Sequence, residues 1–266
     1  MNLGFIGAGN MAGALIRGVV MSESVKAENV HVFDISDVVA KAYADSLGVN
    51  AHDALAQMID QSDMIVVAVK PNVVKSVLVE HKAALANKAV ISIAAGWTTQ
   101  MLCKRLDAST RILRVMPNTP ALCSQGMTAM SMSNTLTDEE RGFVEMVFSA
   151  LGRAQWVKEE QMEAVIGISG SSPAYVYMFI EALSDAGVLL GLPRHEAIMM
   201  AAQAVKGAAE MVLTTGAHPG ALKDNVCSPG GTTIAAVREL ERQGMRAAVI
   251  DAAVCAAEKA REMSEK

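Results

Sequence analysis

The sequence predicts an α/β protein in which a mostly parallel β-sheet with helices on both faces comes first and an all-α domain follows. Short Val- and Ile-rich runs alternate with helix-like stretches through the first half of the chain, which is typical of βαβ units. The run Met64–Val69 lacks polar alternation, as expected for a strand covered on both faces. After the segment near Arg153–Val157 the pattern predicts helices and no further strand, so the predicted domains are residues 1–158 and 159–266.

Each predicted element has its own sequence signal. The expected strands are Leu3–Ile6, His31–Phe33, Met64–Val69, Ala89–Ile93, Arg111–Val115 and Thr128–Met132. In the helical half, Ser172-Pro173 and Pro193 are predicted to open helices, as a cap followed by proline often does. Gly216 is a candidate helix stop, and the last helix is expected from about Met245 to Glu262.

Composition excludes several classes of partner. The 266 residues carry a net charge of −5 with no Lys/Arg cluster, which argues against nucleic-acid binding. No apolar run approaches the roughly 18 residues that a bilayer span requires, and the chain opens without a basic signal segment. The four cysteines are scattered and no metal-ligand spacing occurs, so we expect reduced thiols, a cytoplasmic location and no metal.

The helical half predicts a homodimer. Its helices carry small residues on more than one face, whereas a lone helix in water needs only one apolar stripe. These residues are Ala182, Ala186, Gly187, Ala201, Ala202, Ala204, Ala208 and Ala209. Burial against a second copy explains this pattern, and a compact monomeric bundle is the alternative.

A glycine-rich turn predicts a dinucleotide site and a Rossmann-like first domain. Gly7–Ala12 reads G-x-G-x-x-A between the first strand and a helix expected to start near Met11. Gly7 permits the tight turn, Gly9 lets backbone approach a pyrophosphate, and Ala12 allows close helix packing. The helix N-terminus then offers unpaired N–H groups to the phosphates. Cofactor contacts are expected at Ile6, Gly7, Ala8, Gly9, Asn10 and Met11; a plain glycine-rich turn is the alternative.

The second strand ends in an acidic residue that bears on cofactor choice. Asp34 stands where the adenosine ribose is usually held, and a carboxylate there accepts from the ribose hydroxyls and repels a 2′-phosphate. No Arg or Lys lies within residues 34–37, although Ser36 and the more distant Lys41 leave NADPH open. We therefore expect NADH or NADPH, with Asp34 favouring NADH. Asp34 as a helix cap is compatible with either cofactor.

Two further strand ends are expected beside the cofactor, because ligands of open parallel sheets bind beyond the carboxyl ends of the strands. The first loop comprises Ala68, Val69, Lys70 and Pro71, and the second comprises Ala94, Ala95 and Gly96. Their small residues leave room for the cofactor. Lys70 is expected to contact phosphate or to cap a helix, and a plain surface lysine is the alternative.

The most distinctive stretch of the helical half is Ser228-Pro-Gly-Gly-Thr-Thr233, which opens a helix predicted over Ile234 to Leu240. Exposed N–H groups and hydroxyls at a helix start form a receptor for a carboxylate. Gly230 and Gly231 let backbone donors close on a ligand. An elaborate helix cap, with Thr232 or Thr233 at the N-cap position, is the alternative.

These motifs together resemble the pyrroline-5-carboxylate reductase family over essentially the whole chain. The matching pieces are FIGAGNMAGAL (5–15), AVKP (68–71), SIAAG (92–96), MPNTPA (116–121), GISGSSPAY (167–175) and HPGALKDNVCSPGGTTIAAVREL (218–240). The resemblance implies a Rossmann-like domain, a helical dimerisation domain with dimers that often form rings, and reduction of the cyclic imino acid 1-pyrroline-5-carboxylate to L-proline by NAD(P)H.

The resemblance also implies roles for individual residues. Ser228, Gly230, Gly231, Thr232 and Thr233 are expected to bind the substrate, with Thr233 at the imine nitrogen as the catalytic residue. Asn225 is expected to approach the cofactor, and the turn at Asn118 to border the nicotinamide. Glu159 aligns with an acid near the substrate. Asp34 departs from many relatives that prefer NADPH and offer hydroxyl or basic residues there.

The remaining residues favour a mechanism in which the side chains of the protein transfer few protons. The sequence shows no Lys, His or Asp constellation for proton transfer, and Cys227 lacks a neighbouring histidine that would activate it. Thr233 is then expected to orient the imine nitrogen or relay a proton, because a hydroxyl is a weak acid. The rival hypotheses are a β-hydroxy-acid or keto-acid reductase, which would carry a catalytic lysine where residues 169–175 read SGSSPAY, and a non-catalytic dinucleotide-binding module.

Overall fold

The fold was obtained as a computed structural model, which describes residues 1–264. Contacts divide the chain into two compact units, one comprising residues 1–171 and the stretch from Val254 onward, the other residues 172–253. The domain boundary predicted after residue 158 stays a prediction. In the structure, residues 159–171 pack with the first unit. The predicted second domain runs to residue 266, and its last two residues lie outside the described range.

The first unit contains an eight-stranded sheet, parallel except for one pair. Its spatial order is β3-β2-β1-β4-β5-β6-β7-β8, and only β6 and β7 pair antiparallel. The strands are β1 Leu3–Ile6, β2 Val30–Phe33, β3 Asn50–Ala51, β4 Met64–Val67, β5 Ala89–Ser92, β6 Arg111–Met116, β7 Gly126–Ser131 and β8 Gly152–Val157. The order reverses between β1 and β4, which is where open sheets of this kind bind ligands.

The six predicted strands are confirmed with bounds shifted by at most a few residues, whereas two strands were not predicted. Strand β3 has only two residues, too few to show a pattern. Strand β8 lies at the sheet edge and alternates between exposed and partly buried positions, so its sequence does not resemble the apolar central strands.

Helices cover both faces of this sheet, as predicted. The helices of the unit are α1 Asn10–Met21, α2 Asp37–Leu47, α3 Leu55–Asp60, α4 Pro71–Glu80, α5 Thr99–Cys103, α6 Asp138–Ser149 and α7 Met162–Val165. Alternate strand residues supply two separate cores, with Phe5 and Val66 in one and Ile6 and Ile65 in the other. This two-sided burial explains the continuous apolar runs of β1 and β4.

The second unit is all-α. It contains α8 Ser172–Leu189, α9 Arg194–Thr215, α10 Pro219–Asn225, α11 Thr232–Arg242 and the beginning of α12, Met245–Ser264. After Val157 the described residues contain no strand, which confirms the prediction. Gly216 ends α9 in the left-handed conformation, φ 65°, also as predicted.

Two predicted helix starts differ from the structure. Ser172 is the first residue of α8 and not a cap, because α7 and a π-helical turn at Ile166–Gly170 lead directly into that helix. Pro193 occupies the N-cap position of α9 and not its first turn. Within residues 1–264, no helix is both long enough and apolar enough to cross a membrane.

Candidate cofactor and substrate sites

Gly7 is required by the fold itself. Its φ of +94° favours glycine, and its N–H donates to the carbonyl of Phe33 at 2.8 Å. A Cβ there would lie 3.1 Å from the carbonyl oxygen of Ala68 and 3.1 Å from Cγ1 of Val69. The glycine therefore allows β1 to turn into α1 while the loop after β4 packs against it.

Gly9 differs, because nothing in the protein requires a glycine there. Its φ of −68° suits any residue, and a Cβ would meet no atom within 4 Å. Gly9 is the N-cap residue of α1, and neither a side-chain cap nor an acidic residue occupies the first turn. The open space and the uncapped N–H groups fit a dinucleotide pyrophosphate.

The side chain of Asp34 links β2 to the glycine-rich turn. Its Oδ2 accepts from the N–H of Ala8 at 2.7 Å, and its Oδ1 accepts from the N–H of Ser36 at 2.9 Å. Ser36, and not Asp34, holds the N-cap position of α2. The carboxylate thus accepts from one backbone donor after β1 and from one after β2.

The two other predicted loops follow β4 and β5, whose carboxyl ends meet those of β1 and β2 at one edge of the sheet. Lys70 is the N-cap residue of α4, and Pro71 is its first residue. Trp97, directly after the loop Ala94–Gly96, donates from Nε1 to the carbonyl of Pro71 at 2.9 Å. This hydrogen bond joins the two loops.

Both polar atoms of the Asn118 side chain form hydrogen bonds within the protein. Its Nδ2 donates to the carbonyl of Ser169 at 3.0 Å, and its Oδ1 accepts from the N–H of Met127 at 2.9 Å. The residue is buried. The amide therefore fixes the turn after β6.

Glu159 is likewise surrounded by protein donors. Its Oε1 accepts from the Thr99 N–H and from Nη1 of Arg114, both at 3.0 Å. Its Oε2 accepts from the hydroxyls of Thr99 at 3.0 Å and Ser131 at 2.5 Å. Burial raises the pKa of Glu159, but the hydrogen bonds from Ser131 and Thr99 and the Arg114 charge outweigh it and hold that pKa below its usual value. These partners speak against the predicted substrate contact.

The predicted substrate loop lies wholly in the second unit, between α10 and α11. Gly231 is the N-cap residue of α11, so Thr232 and Thr233 are its first two residues, and the alternative that one of them caps the helix is wrong. Gly230 adopts the left-handed conformation with φ 69°. The N–H of Gly231 donates to the carbonyl of Ser228 at 3.0 Å.

The glycine at 231 also makes room for a hydroxyl. A Cβ there would lie 2.3 Å from Oγ of Ser228. The first turn of α11 has no acidic residue and no side-chain cap, so its N–H groups and two threonines are available to an anion. Asn225 is the last residue of α10, in the same unit.

Sequence reasoning missed the partners that organise the first unit, chiefly Arg114, Thr99 and Ser131. The signal for Arg114 was present, since an arginine between the apolar residues Leu113 and Val115 of a strand requires a buried anionic partner. Its side chain is only 3% exposed and pairs with Glu159 at 3.0 Å and Glu163 at 3.1 Å. Thr99 and Ser131 carried no comparable signal.

Comparisons with known proteins cover the whole chain. Residues 159–263 match the family model described as pyrroline-5-carboxylate reductase dimerisation, and residues 2–96 match the model described as NADP oxidoreductase, coenzyme F420-dependent. The chain is 46% identical to pyrroline-5-carboxylate reductase of Escherichia coli K12, covering 99% of this chain and 98% of that one. It is 43% identical to the Arabidopsis thaliana protein of the same name, covering 99% and 95%.

A solved structure is similar over the same extent. The Plasmodium falciparum pyrroline carboxylate reductase with NADP bound superposes with a TM-score of 0.91 at 34% identity, covering 99% of this chain and 98% of that one.

Proposed function

This chain belongs to the pyrroline-5-carboxylate reductase family, and we propose that its residues divide the family's reaction between a cofactor site in the first unit and a substrate site in the second. The chain reduces 1-pyrroline-5-carboxylate to L-proline by hydride transfer from NAD(P)H. The observation that carries this assignment is its relatedness to such enzymes along its full length. The division of roles follows the two compact units, whose boundary lies after residue 171, whereas the dimerisation model begins at residue 159.

The cofactor site of this proposal is the edge of the sheet where four parallel strands end. The backbone at Gly9, which has no side chain, binds the pyrophosphate. The carboxylate of Asp34 accepts hydrogen bonds from the ribose hydroxyls. The turn at Asn118 and the residue Asn225 belong to the cofactor-binding set by the family resemblance. The other members of the site are Ile6, Gly7, Ala8, Asn10, Met11, Ser36, Ala68, Val69, Lys70, Pro71, Ala94, Ala95 and Gly96.

The substrate site of this proposal is the start of α11. The substrate carboxylate accepts hydrogen bonds from the free N–H groups and from the hydroxyls of Ser228 and Thr232. Gly230 and Gly231 keep side chains away from the approaching anion. The uncapped first turn of α11 supports this assignment, because a helix start whose donors are unused by the protein suits a carboxylate.

Thr233 acts at the nitrogen. When bound, the reduced nicotinamide supplies a hydride to the imine carbon while the nitrogen carries a proton, so C=N becomes CH–NH. The Thr233 hydroxyl hydrogen-bonds that nitrogen and fixes the ring, which contributes orientation. A threonine hydroxyl is too weak an acid to be the source of the proton. The ring therefore binds protonated, or it takes its proton from water through the hydroxyl.

The helical half also forms a homodimer in this proposal. Large apolar side chains of α8 and α9 are exposed in the single chain, among them Met178, Leu189 and Met199. Burial of such a surface against a second copy is favourable, and the matched dimerisation model lies on the same helices. We propose assembly of dimers into a ring and a cytoplasmic location as further parts of this hypothesis.

An assay of cofactor oxidation with 1-pyrroline-5-carboxylate tests the function and the role of Asp34 together. We expect kcat/KM for NADH to exceed that for NADPH by about tenfold, the ratio that roughly 1.4 kcal/mol of phosphate–carboxylate repulsion gives. The Asp34→Ser variant should reduce that ratio. A preference for NADPH in the unaltered protein would refute the ribose argument, and turnover of a hydroxy acid without turnover of the imine would favour the rival reductase.

A further inference from the structure

We propose that Glu159 is a positioning residue which fixes the cofactor-side loop Ala94–Gly96 through Thr99, and that it does not contact the substrate. This inference deepens the proposed function and rests on it, because the loop matters only if it borders the cofactor. It concerns residues of the first unit alone.

The Glu159 carboxylate accepts two hydrogen bonds from Thr99, which follows the loop. Thr99 donates its N–H to Oε1 and its hydroxyl to Oε2, each at 3.0 Å. Thr99 is the first residue of α5, and Thr98 caps that helix by accepting from the N–H of Met101. The carboxylate therefore holds the point at which the loop Ala94–Gly96 passes into α5.

The same carboxylate is anchored to two neighbouring strands. Arg114, buried within β6, donates to Oε1, and Ser131 at the end of β7 donates to Oε2. Arg114 is oriented in turn by Glu163. Glu159 thus ties the segment after β5 to the middle of β6 and to the end of β7, and its charge balances a guanidinium that would be costly to leave unpaired.

The loop depends on such an anchor because its own geometry is demanding. Gly96 is left-handed, with φ 77°, and the N–H of Trp97 closes the turn on the carbonyl of Ala94 at 3.3 Å. Trp97, directly after the loop, is held by the carbonyl of Pro71. Thr99, two residues further on, is held by Glu159, so a change at residue 159 loosens the same end of the loop at a second point.

The negative charge of Glu159 and its four existing hydrogen bonds argue against a direct contact between this residue and the substrate. Each oxygen of Glu159 already accepts two hydrogen bonds, so a ligand would have to displace a protein donor. The substrate itself carries a carboxylate, and a second anion beside it would repel it.

The test compares cofactor affinity with substrate affinity in a small set of variants. Glu159→Gln and Thr99→Val are expected to raise the dissociation constant for NADH by about tenfold, because partners in one network are strongly coupled. The KM for the imine should stay within about twofold, because the start of α11 is untouched. NADH binding is measured by fluorescence titration without substrate.

Two matched variants separate positioning from stability. Thr99→Ser keeps the hydroxyl and should leave NADH affinity within about twofold. Glu163→Gln removes a carboxylate from the same arginine but touches no loop residue, so it should lower the Tm as Glu159→Gln does while NADH affinity stays within about twofold.

The outcomes distinguish the hypotheses. Unchanged NADH affinity in Glu159→Gln, or a rise only in the KM for the imine, would overturn the positioning role. An equal loss of NADH affinity in Glu163→Gln would also overturn it, by showing that instability alone is responsible. Failure of the unaltered protein to turn over the imine would refute the proposed function and leave the affinity comparison intact.

Discussion

Replacing Gly9 by alanine is expected to abolish useful cofactor binding while leaving the protein folded. The added Cβ meets no protein atom within 4 Å, and the φ of −68° is comfortable for alanine. The methyl group would instead enter the space through which a pyrophosphate reaches the first N–H groups of α1. We expect the NADH dissociation constant to rise at least about a hundredfold, which corresponds to roughly 2.7 kcal/mol.

Two other glycines provide the contrast for this prediction. Gly142 in α6 also has no atom near its Cβ position, so Gly142→Ala should retain NADH affinity and gain a few tenths of a kcal/mol to about 1 kcal/mol in stability. Gly7→Ala should lower the Tm markedly, because its φ is +94°. Titration and thermal unfolding of all three variants separate binding from folding. Normal NADH affinity in Gly9→Ala would place the pyrophosphate elsewhere.

The Thr233→Ala variant is expected to lose most of its turnover while binding cofactor normally. Thr233 is the second residue of α11, behind the N-cap residue Gly231, so its hydroxyl is not the helix cap. Loss of a hydrogen bond to the imine nitrogen in the transition state should lower kcat by about a hundredfold. The dissociation constant for NADH should change by less than about twofold, because the cofactor contacts are unaffected.

The conservative variant at the same position sharpens this prediction. Thr233→Ser keeps the hydroxyl and should retain kcat to within about fivefold, the loss reflecting a freer side chain. Steady-state rates with saturating imine and NADH measure both variants. If Thr233→Ala turned over at the rate of the unaltered protein, Thr233 would have no part in the mechanism and the nitrogen would be oriented by another group.

Local patterns predicted most of the sheet because burial on two faces leaves a clear trace in sequence. The apolar runs of β1 and β4 and the glycine at position 7 follow from close packing and backbone conformation, which act over few residues. Strand β8 escaped prediction because an edge position allows exposed polar residues. Strand β3 escaped because two residues have no period.

Side-chain partnerships across the sheet were not predictable in the same way. Glu159 meets Thr99, Arg114 and Ser131, which are separated from it by 60, 45 and 28 residues. No local pattern records such contacts, so these hydrogen bonds of Glu159 could not be predicted from the sequence. The same holds for the Asn118 amide, which donates to the carbonyl of Ser169 and accepts from the N–H of Met127.

Some helix starts were predicted at the wrong residue, because the helical backbone continues through sequence that usually marks a helix boundary. Ser172-Pro173 has the composition of a cap, yet the π-helical turn before it carries the chain directly into α8. At α11 the glycine and not a threonine holds the cap position, which releases two hydroxyls for a ligand. Propensity alone does not decide between neighbouring residues of this kind.

The most direct test of the account is a crystal structure of the protein with L-proline bound. The start of α11 is predicted to hold the proline carboxylate, with its oxygens about 2.7–3.2 Å from backbone N–H groups and hydroxyls of residues 228–233. The ring nitrogen should then lie within hydrogen-bonding distance of Thr233. A carboxylate bound away from these residues, for example against Arg114, would contradict the assignment of the substrate to the second unit and the role of Thr233.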